Sequence, residues 1–148
     1  MIVYEDVNGI DFIDEFERIL PEHYEELSVT KEFPLEPNWD AYRAYANGGM
    51  LRTITCRNDG ELIGYIVFFI QPHPHYKSCI TAYEDVYYIR KDYRKGRVGI
   101  KLFQYAEKVL KERGVHRMVI HTKVHLDNSR LLEYMDYKLT DKLFSKLL

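Results

Sequence analysis

The residues best suited to chemistry in this sequence stand in one stretch, "YRKGRVGIKLFQYAEKVLKERG", Tyr93 to Gly114. Arg94, Lys95 and Arg97 are interleaved with Gly96 and Gly99 where an amphipathic pattern begins, with Ile100, Phe103, Val109 and Leu110 near one helical stripe. A helix start presents unpaired N–H groups and the positive end of a dipole. Cations and flexible backbone added there fit an anion, and phosphate is the usual guest. The spacing is not that of a Walker loop, since no G-x-x-x-x-G-K-[ST] is present. A dinucleotide fingerprint fits poorly, because it needs three glycines early in the chain. Elsewhere, His73 and His75 flank Pro74 without further ligands nearby, so they read as a solvent loop rather than a metal site. Cys56 and Cys79 have neither disulfide-scaffold density nor metal spacing, and reduced thiols in an intracellular, cytoplasmic protein are the expectation.

The elements that must position this stretch are legible in outline. "MIVYEDV" reads as a first strand ended by Asn8-Gly9, and Ile10 to Leu20 as a helix with Ile10, Ile13, Phe16, Ile19 and Leu20 at helical spacing. Pro21 closes it, an acidic segment follows, and Pro34 and Pro37 mark a loop. "NWDAYRAYANGG" is a second helix closed by Gly48-Gly49. "MLRTITCR" and "ELIGYIVFFIQ" read as strands joined by Asn58-Asp59-Gly60, a hairpin signal. After the loop "PHPHYKS" comes the strand "CITAYEDVYYIR", then the glycine segment and its helix to Gly114. "HRMVIHTKV" is a strand, "DNSRLLEYM" a short helix, and "YKLTDKLFSKLL" a last strand. The order predicts a single α/β domain over residues 1–148, a mixed central sheet flanked by helices.

The segment Ile89-Arg90-Lys91-Asp92-Tyr93-Arg94-Lys95-Gly96-Arg97-Val98-Gly99 resembles the acetyl-CoA loop of the GNAT N-acetyltransferase superfamily, V-x-P-x-Y-R-x-x-G-x-G with a helix beginning inside it. Lys91 stands where that pattern has proline, Arg97 where its first loop glycine falls, and Gly96 one place early. The resemblance extends over roughly the C-terminal two thirds of the chain. It implies that backbone N–H groups of Gly96, Arg97, Val98, Gly99 and Ile100 wrap the coenzyme pyrophosphate, with Arg94 and Lys95 supplying charge. It implies that acetyl-CoA lies between "EDVYYI" and "RMVIHTKV", against Tyr87, Tyr88 and Ile89 on one side and Asn128 on the other. It further implies a carboxylate base, Glu84 or Asp85, because a primary amine is mostly protonated at neutral pH and attacks only when neutral. Neighbouring strand residues face opposite ways, so one of the two turns inward unless a bulge intervenes. A tyrosine acid in the family's tail falls near Tyr134 when the tail is registered on Asn128, and at Leu132 in the other register.

The activity so implied is direct transfer of acetyl from acetyl-CoA to a primary amine in a ternary complex. The other reading is a non-catalytic acyl-CoA-binding or protein-interaction module on the same fold. At 148 residues, 46% hydrophobic and 30% charged, the composition is that of a globular protein. The longest apolar run, Leu62 to Ile70, is far short of the ~20 residues of a membrane span. No signal peptide is expected from "MIVYEDVNGIDF". The net charge of −2 hides a split. Met1 to Asp40 carries 12 acids against Arg18 and Lys31, and Arg90 to Arg113 carries nine bases against three acids. The acidic part argues for a cationic acceptor. Nucleic acid is not an expected partner, because the basic stretch is short and lacks interleaved aromatics. The resemblance admits a homodimer.

Overall fold

A computed structural model describes residues 1–28 and 32–148. The elements run β1 (Ile2–Asn8), α1 (Gly9–Leu27), α2 (Trp39–Asn47), β2 (Leu51–Asn58), β3 (Glu61–His73), β4 (Tyr76–Ile89), a 3-10 turn (Lys91–Tyr93), α3 (Val98–Glu112), β5 (Arg117–Val119) and α4 (Ser129–Tyr134). One five-stranded sheet has the order β1-β2-β3-β4-β5, antiparallel as far as β4, with β5 parallel to β4. This is the mixed sheet flanked by helices that the sequence predicts.

Local chemistry explains the element ends. The Asn8 side chain accepts from Ile10 N and caps α1, and Asn38 does the same for α2 through Ala41 N. Asp59 and Gly60 both have positive φ (49° and 88°), as a two-residue turn matching the strand twist requires. Each face of the sheet carries its own core. On one, Ile54, Ile66, Phe68 and Ala82 pack against Leu102, Phe103, Ala106 and Leu110 of α3. On the other, Leu51, Tyr65, Val67 and Tyr88 pack against Phe12, Ile13 and Phe16 of α1.

The structure departs from the sequence reading in four places. Helix α1 does not stop before Pro21 but continues to Leu27. Pro21 is exposed, so the hydrogen bond it cannot donate is lost on the solvent side, while His23, two residues on and on the opposite face, is buried. "PHPHYKS" is mostly strand, leaving only Pro74 and His75 between β3 and β4. Strand β5 has three residues, because its pairing with β4 ends at Tyr83↔Val119. "YKLTDKLFSKLL" forms no strand: after α4 no further helix or strand follows, and Leu139, Leu143 and Phe144 are exposed. Its alternation puts charged and apolar residues on both faces, a pattern that gives a strand little to bury.

Candidate active site

The site begins with an irregularity in β4. Val86 faces Val67, but Glu84 faces Phe68, so Asp85 is an extra residue without a partner on β3. The burial pattern confirms the phase change: Ala82 belongs to the α3-side core, whereas Val86 and Tyr88 belong to the α1 side. This bulge removes the alternative that a regular strand would impose, since Glu84 and Asp85 both line one cavity of about 590 Å³. The cavity also opens because β5 pairs with β4 only at Thr81 to Tyr83. From Glu84 to Ile89 the edge of β4 away from β3 therefore has no strand on it among the described residues.

The two carboxylates have different partners. Glu84 has a side chain only 4% exposed, and its Oε2 accepts from His121 Nδ1 at 2.8 Å and from the His121 backbone N–H at 3.3 Å. That hydrogen bond outweighs the opposing effect of burial and raises the His121 pKa above its ordinary value. Asp85 Oδ2 accepts from the Tyr42 hydroxyl of α2 at 2.6 Å. Burial raises the Asp85 pKa, the Tyr42 hydrogen bond opposes the rise, and the neighbouring Glu84 charge adds to it.

At the other end of the cavity, the backbone turns into α3. Gly96 adopts φ +116°, which side chains rarely tolerate. Gly99 is needed for a different reason: a Cβ there would lie 2.9 Å from the Tyr87 hydroxyl and 3.4 Å from Ile89 Cδ1. No side chain caps α3, so its first N–H groups point outward without an internal acceptor. Arg94 is not a free cation. Its guanidinium pairs with Glu26 of α1, its Nε donates to the Ile89 carbonyl at 2.7 Å, and it lies 5.6 Å from the Tyr88 ring centre. The Arg94 hydrogen bond holds the Glu26 carboxyl below its usual range. The far wall is the segment after β5, where Thr122 Oγ1 accepts from Asn128 N at 2.7 Å and donates to the Leu126 carbonyl at 3.2 Å.

Of the residues predicted from sequence, Glu84, Asp85, Tyr87, Tyr88, Ile89, Arg94, Gly96, Gly99, Ile100 and Asn128 line this cavity. Lys95, Arg97, Val98 and Tyr134 are not among its lining residues, and Tyr134 is 71% exposed on α4. The "PHPHYKS" segment is absent from the lining too, and the wall on the α1 side is formed by Tyr24, Glu26, Leu27 and Ser28. Sequence reasoning missed His121, Tyr42, Glu26 and buried His23, whose Nδ1 lies 2.7 Å from the Tyr65 hydroxyl while its ring stacks on Tyr88 at 3.6 Å. Helical and strand periodicity ranks such residues only as inside or outside, and their partners lie on distant segments. No arrangement of three or more His, Cys, Asp or Glu suited to a metal occurs among the described residues.

Solved structures with this fold are numerous. A GCN5-related N-acetyltransferase from Ralstonia eutropha JMP134 superposes with a TM-score of 0.75 over 99% of both chains at 17% identity. A predicted acetyltransferase with acetyl-CoA from Clostridium acetobutylicum gives 0.74 over 99% of this chain and 96% of the other, at 12% identity. An aminoglycoside acetyltransferase from an uncultured soil metagenomic sample, in complex with sisomicin, gives 0.73 over 99% and 97% at 11% identity. A search among curated proteins returned no match. Identities this low speak for the fold alone. The sequence itself carries the assignment: the model of the acetyltransferase (GNAT) family matches residues 13–135, from the first core helix through the bulged strand and the glycine turn to the end of α4, and the chain belongs to that family.

Proposed function

We propose that the protein is an acetyl-CoA-dependent N-acyltransferase, one domain over residues 1–148, that moves acetyl to a primary amine by direct transfer in a ternary complex. The observation that carries this reading is the free edge of β4 from Glu84 to Ile89, running between a carboxylate pair and the uncapped start of α3. An extended pantetheine pairs with such an edge as an added strand. Its pyrophosphate then reaches the N–H groups of Val98, Gly99 and Ile100, with Lys95 and Arg97 beside them. The thioester lies near the bulge, where the base is drawn from Glu84 and Asp85 and a strand N–H can stabilise the oxyanion. The amine nitrogen forms its bond to the thioester carbon, the C–S bond breaks, and the electron pair leaves on sulfur. A thiolate with pKa ~8.5 leaves without a dedicated acid, consistent with Tyr134 standing outside the cavity.

The acceptor we favour is a cation. Glu84, Asp85 and Asp127 line the cavity together with Glu26, and one structural relative is an aminoglycoside acetyltransferase with sisomicin bound. Calorimetric titration with acetyl-CoA, at low and high salt, is the first test: binding that weakens with salt is expected, because loop cations meet phosphates. Thiol release from acetyl-CoA across a panel of cationic and neutral amines is the second. Absence of binding at low salt overturns the proposal. Binding without thiol release from any amine supports the non-catalytic module instead.

A further inference from the structure

We propose that the ammonium proton of the acceptor is taken up at Nε2 of His121, with Glu84 acting behind it as the positioning residue. This rests on the acetyltransfer reading and refines its base. The Glu84 carboxylate is almost wholly enclosed, and its Oε2 is already committed to two donors, both from His121. The His121 side chain is 44% exposed and lines the cavity, so it is the part of the pair that an entering amine meets. An Nδ1–H donated to a carboxylate fixes the tautomer of neutral imidazole and leaves the Nε2 lone pair free. This is the logic of a carboxylate–histidine base, in which the buried acid orients the ring and stabilises its protonated form. Asp85 is a poorer acceptor of the proton, being engaged by the Tyr42 hydroxyl on the α2 side.

The charged groups around His121 set its basicity. Glu84 and Asp85 on β4 favour the imidazolium, and Lys123 beyond β5 opposes it. The hydrogen bond to Glu84 outweighs burial of the ring, and the net displacement of the His121 pKa is upward. In the reaction, an ammonium gives one proton to Nε2, and the half-exposed ring passes it to solvent. The neutral amine forms the N–C bond, the nitrogen gives its second proton to solvent water as the C–S bond breaks, and the thiolate takes a proton from water. One ammonium and one thioester thus become one amide, one thiol and one released proton.

The experiment compares the parent with His121→Ala, His121→Gln and Glu84→Gln by kcat/KM against pH, with acetyl-CoA affinity measured in parallel. For His121→Ala, kcat/KM at pH 7 is expected to fall roughly 10²–10⁴-fold, with the deficit shrinking as pH approaches the amine pKa. Acetyl-CoA affinity is expected to stay within about twofold, and added imidazole to restore part of the rate. For Glu84→Gln, the acidic limb of the profile is expected to move to lower pH, because the neutral amide no longer supports the imidazolium. A His121→Ala or His121→Gln variant that keeps the parent's rate and profile overturns this inference, and Glu84→Gln inactive beside it would make Glu84 the base itself. A parent that binds acetyl-CoA but acetylates no amine overturns the acetyltransfer reading and this inference together, so the two failures are told apart.

Discussion

Gly96 and Gly99 stand three residues apart and are constrained by different physics. At Gly96 a side chain would meet open space, but φ +116° lies outside even the left-handed region that other residues visit. At Gly99 the backbone is ordinary and the space is not, with the Tyr87 hydroxyl 2.9 Å from where a Cβ would sit. Gly96→Ala should therefore cost about 1–3 kcal/mol of stability through backbone strain, read as a lower melting temperature. Gly99→Val should remove acetyl-CoA binding, because its side chain meets the Tyr87 hydroxyl and forces that cavity-lining ring to shift. Circular dichroism and calorimetric titration check both, and Gly99→Val with parental affinity would move the anion site elsewhere. Both glycines were legible as a turn entering a helix, which the structure has at the start of α3. The state of Arg94 was not, because its partner Glu26 lies on α1, on a stretch of helix that Pro21 seemed to forbid.

At the scale of elements, the hairpin Asn58-Asp59-Gly60 could be read directly, since two residues with positive φ have a local signature. The bulge at Asp85 could not, because it exists only relative to the register of β3. Junctions between distant elements are equally silent in sequence, and Asp6 is the clearest. Arg52 of β2 donates to its Oδ1 at 2.5 Å, and Arg113 at the end of α3 to its Oδ2 at 2.6 Å, so one carboxylate ties β1 to both. Burial pushes the Asp6 pKa up, but the hydrogen bonds from Arg52 and Arg113 outweigh it and hold the group below its usual range. A carboxyl whose folded pKa is depressed stabilises the fold above its unfolded pKa of ~3.9, and loses that contribution as pH falls through the folded value. Asp6→Asn should destabilise by about 1.5–3 kcal/mol at pH 7, since it strips a charged partner from two guanidinium groups. The gap between variant and parent should close below pH ~3.9. Denaturant melts at pH 7 and at acid pH measure it, and an equal gap at both would show that the charge contributes nothing.

Across the whole molecule, the charge asymmetry of the sequence has two uses that composition alone could not separate. Asp6, Glu5, Asp14 and Glu15 are joined to Arg52, Arg113, Arg57 and Arg43 and so hold elements together, while Glu26 both lines the cavity and pairs with its Arg94. The cavity's remaining acids, Glu84, Asp85 and Asp127, come from later in the chain. The tail is the other property of the whole chain. Tyr137 is its last anchored residue: its hydroxyl donates to Glu107 of α3 at 2.8 Å and its ring meets Phe103. Beyond it, Leu139, Leu143, Phe144 and Leu148 are exposed and belong to no element. Apolar side chains in that state gain no burial from the folded monomer, and exposed apolar surface of this kind is prone to association. Deleting residues 139–148 should shift the melting temperature by less than the roughly 2–4 °C that 1 kcal/mol produces in a chain of this size. Acetyl-CoA affinity should be unchanged, and sedimentation at high concentration should show less association than for the full chain. Extending the deletion through Tyr137 should lower the melting temperature clearly, because it strips the cover from Phe103 and leaves Glu107 without its donor. A large loss of stability on removing 139–148 alone would show that the tail packs onto the domain in solution.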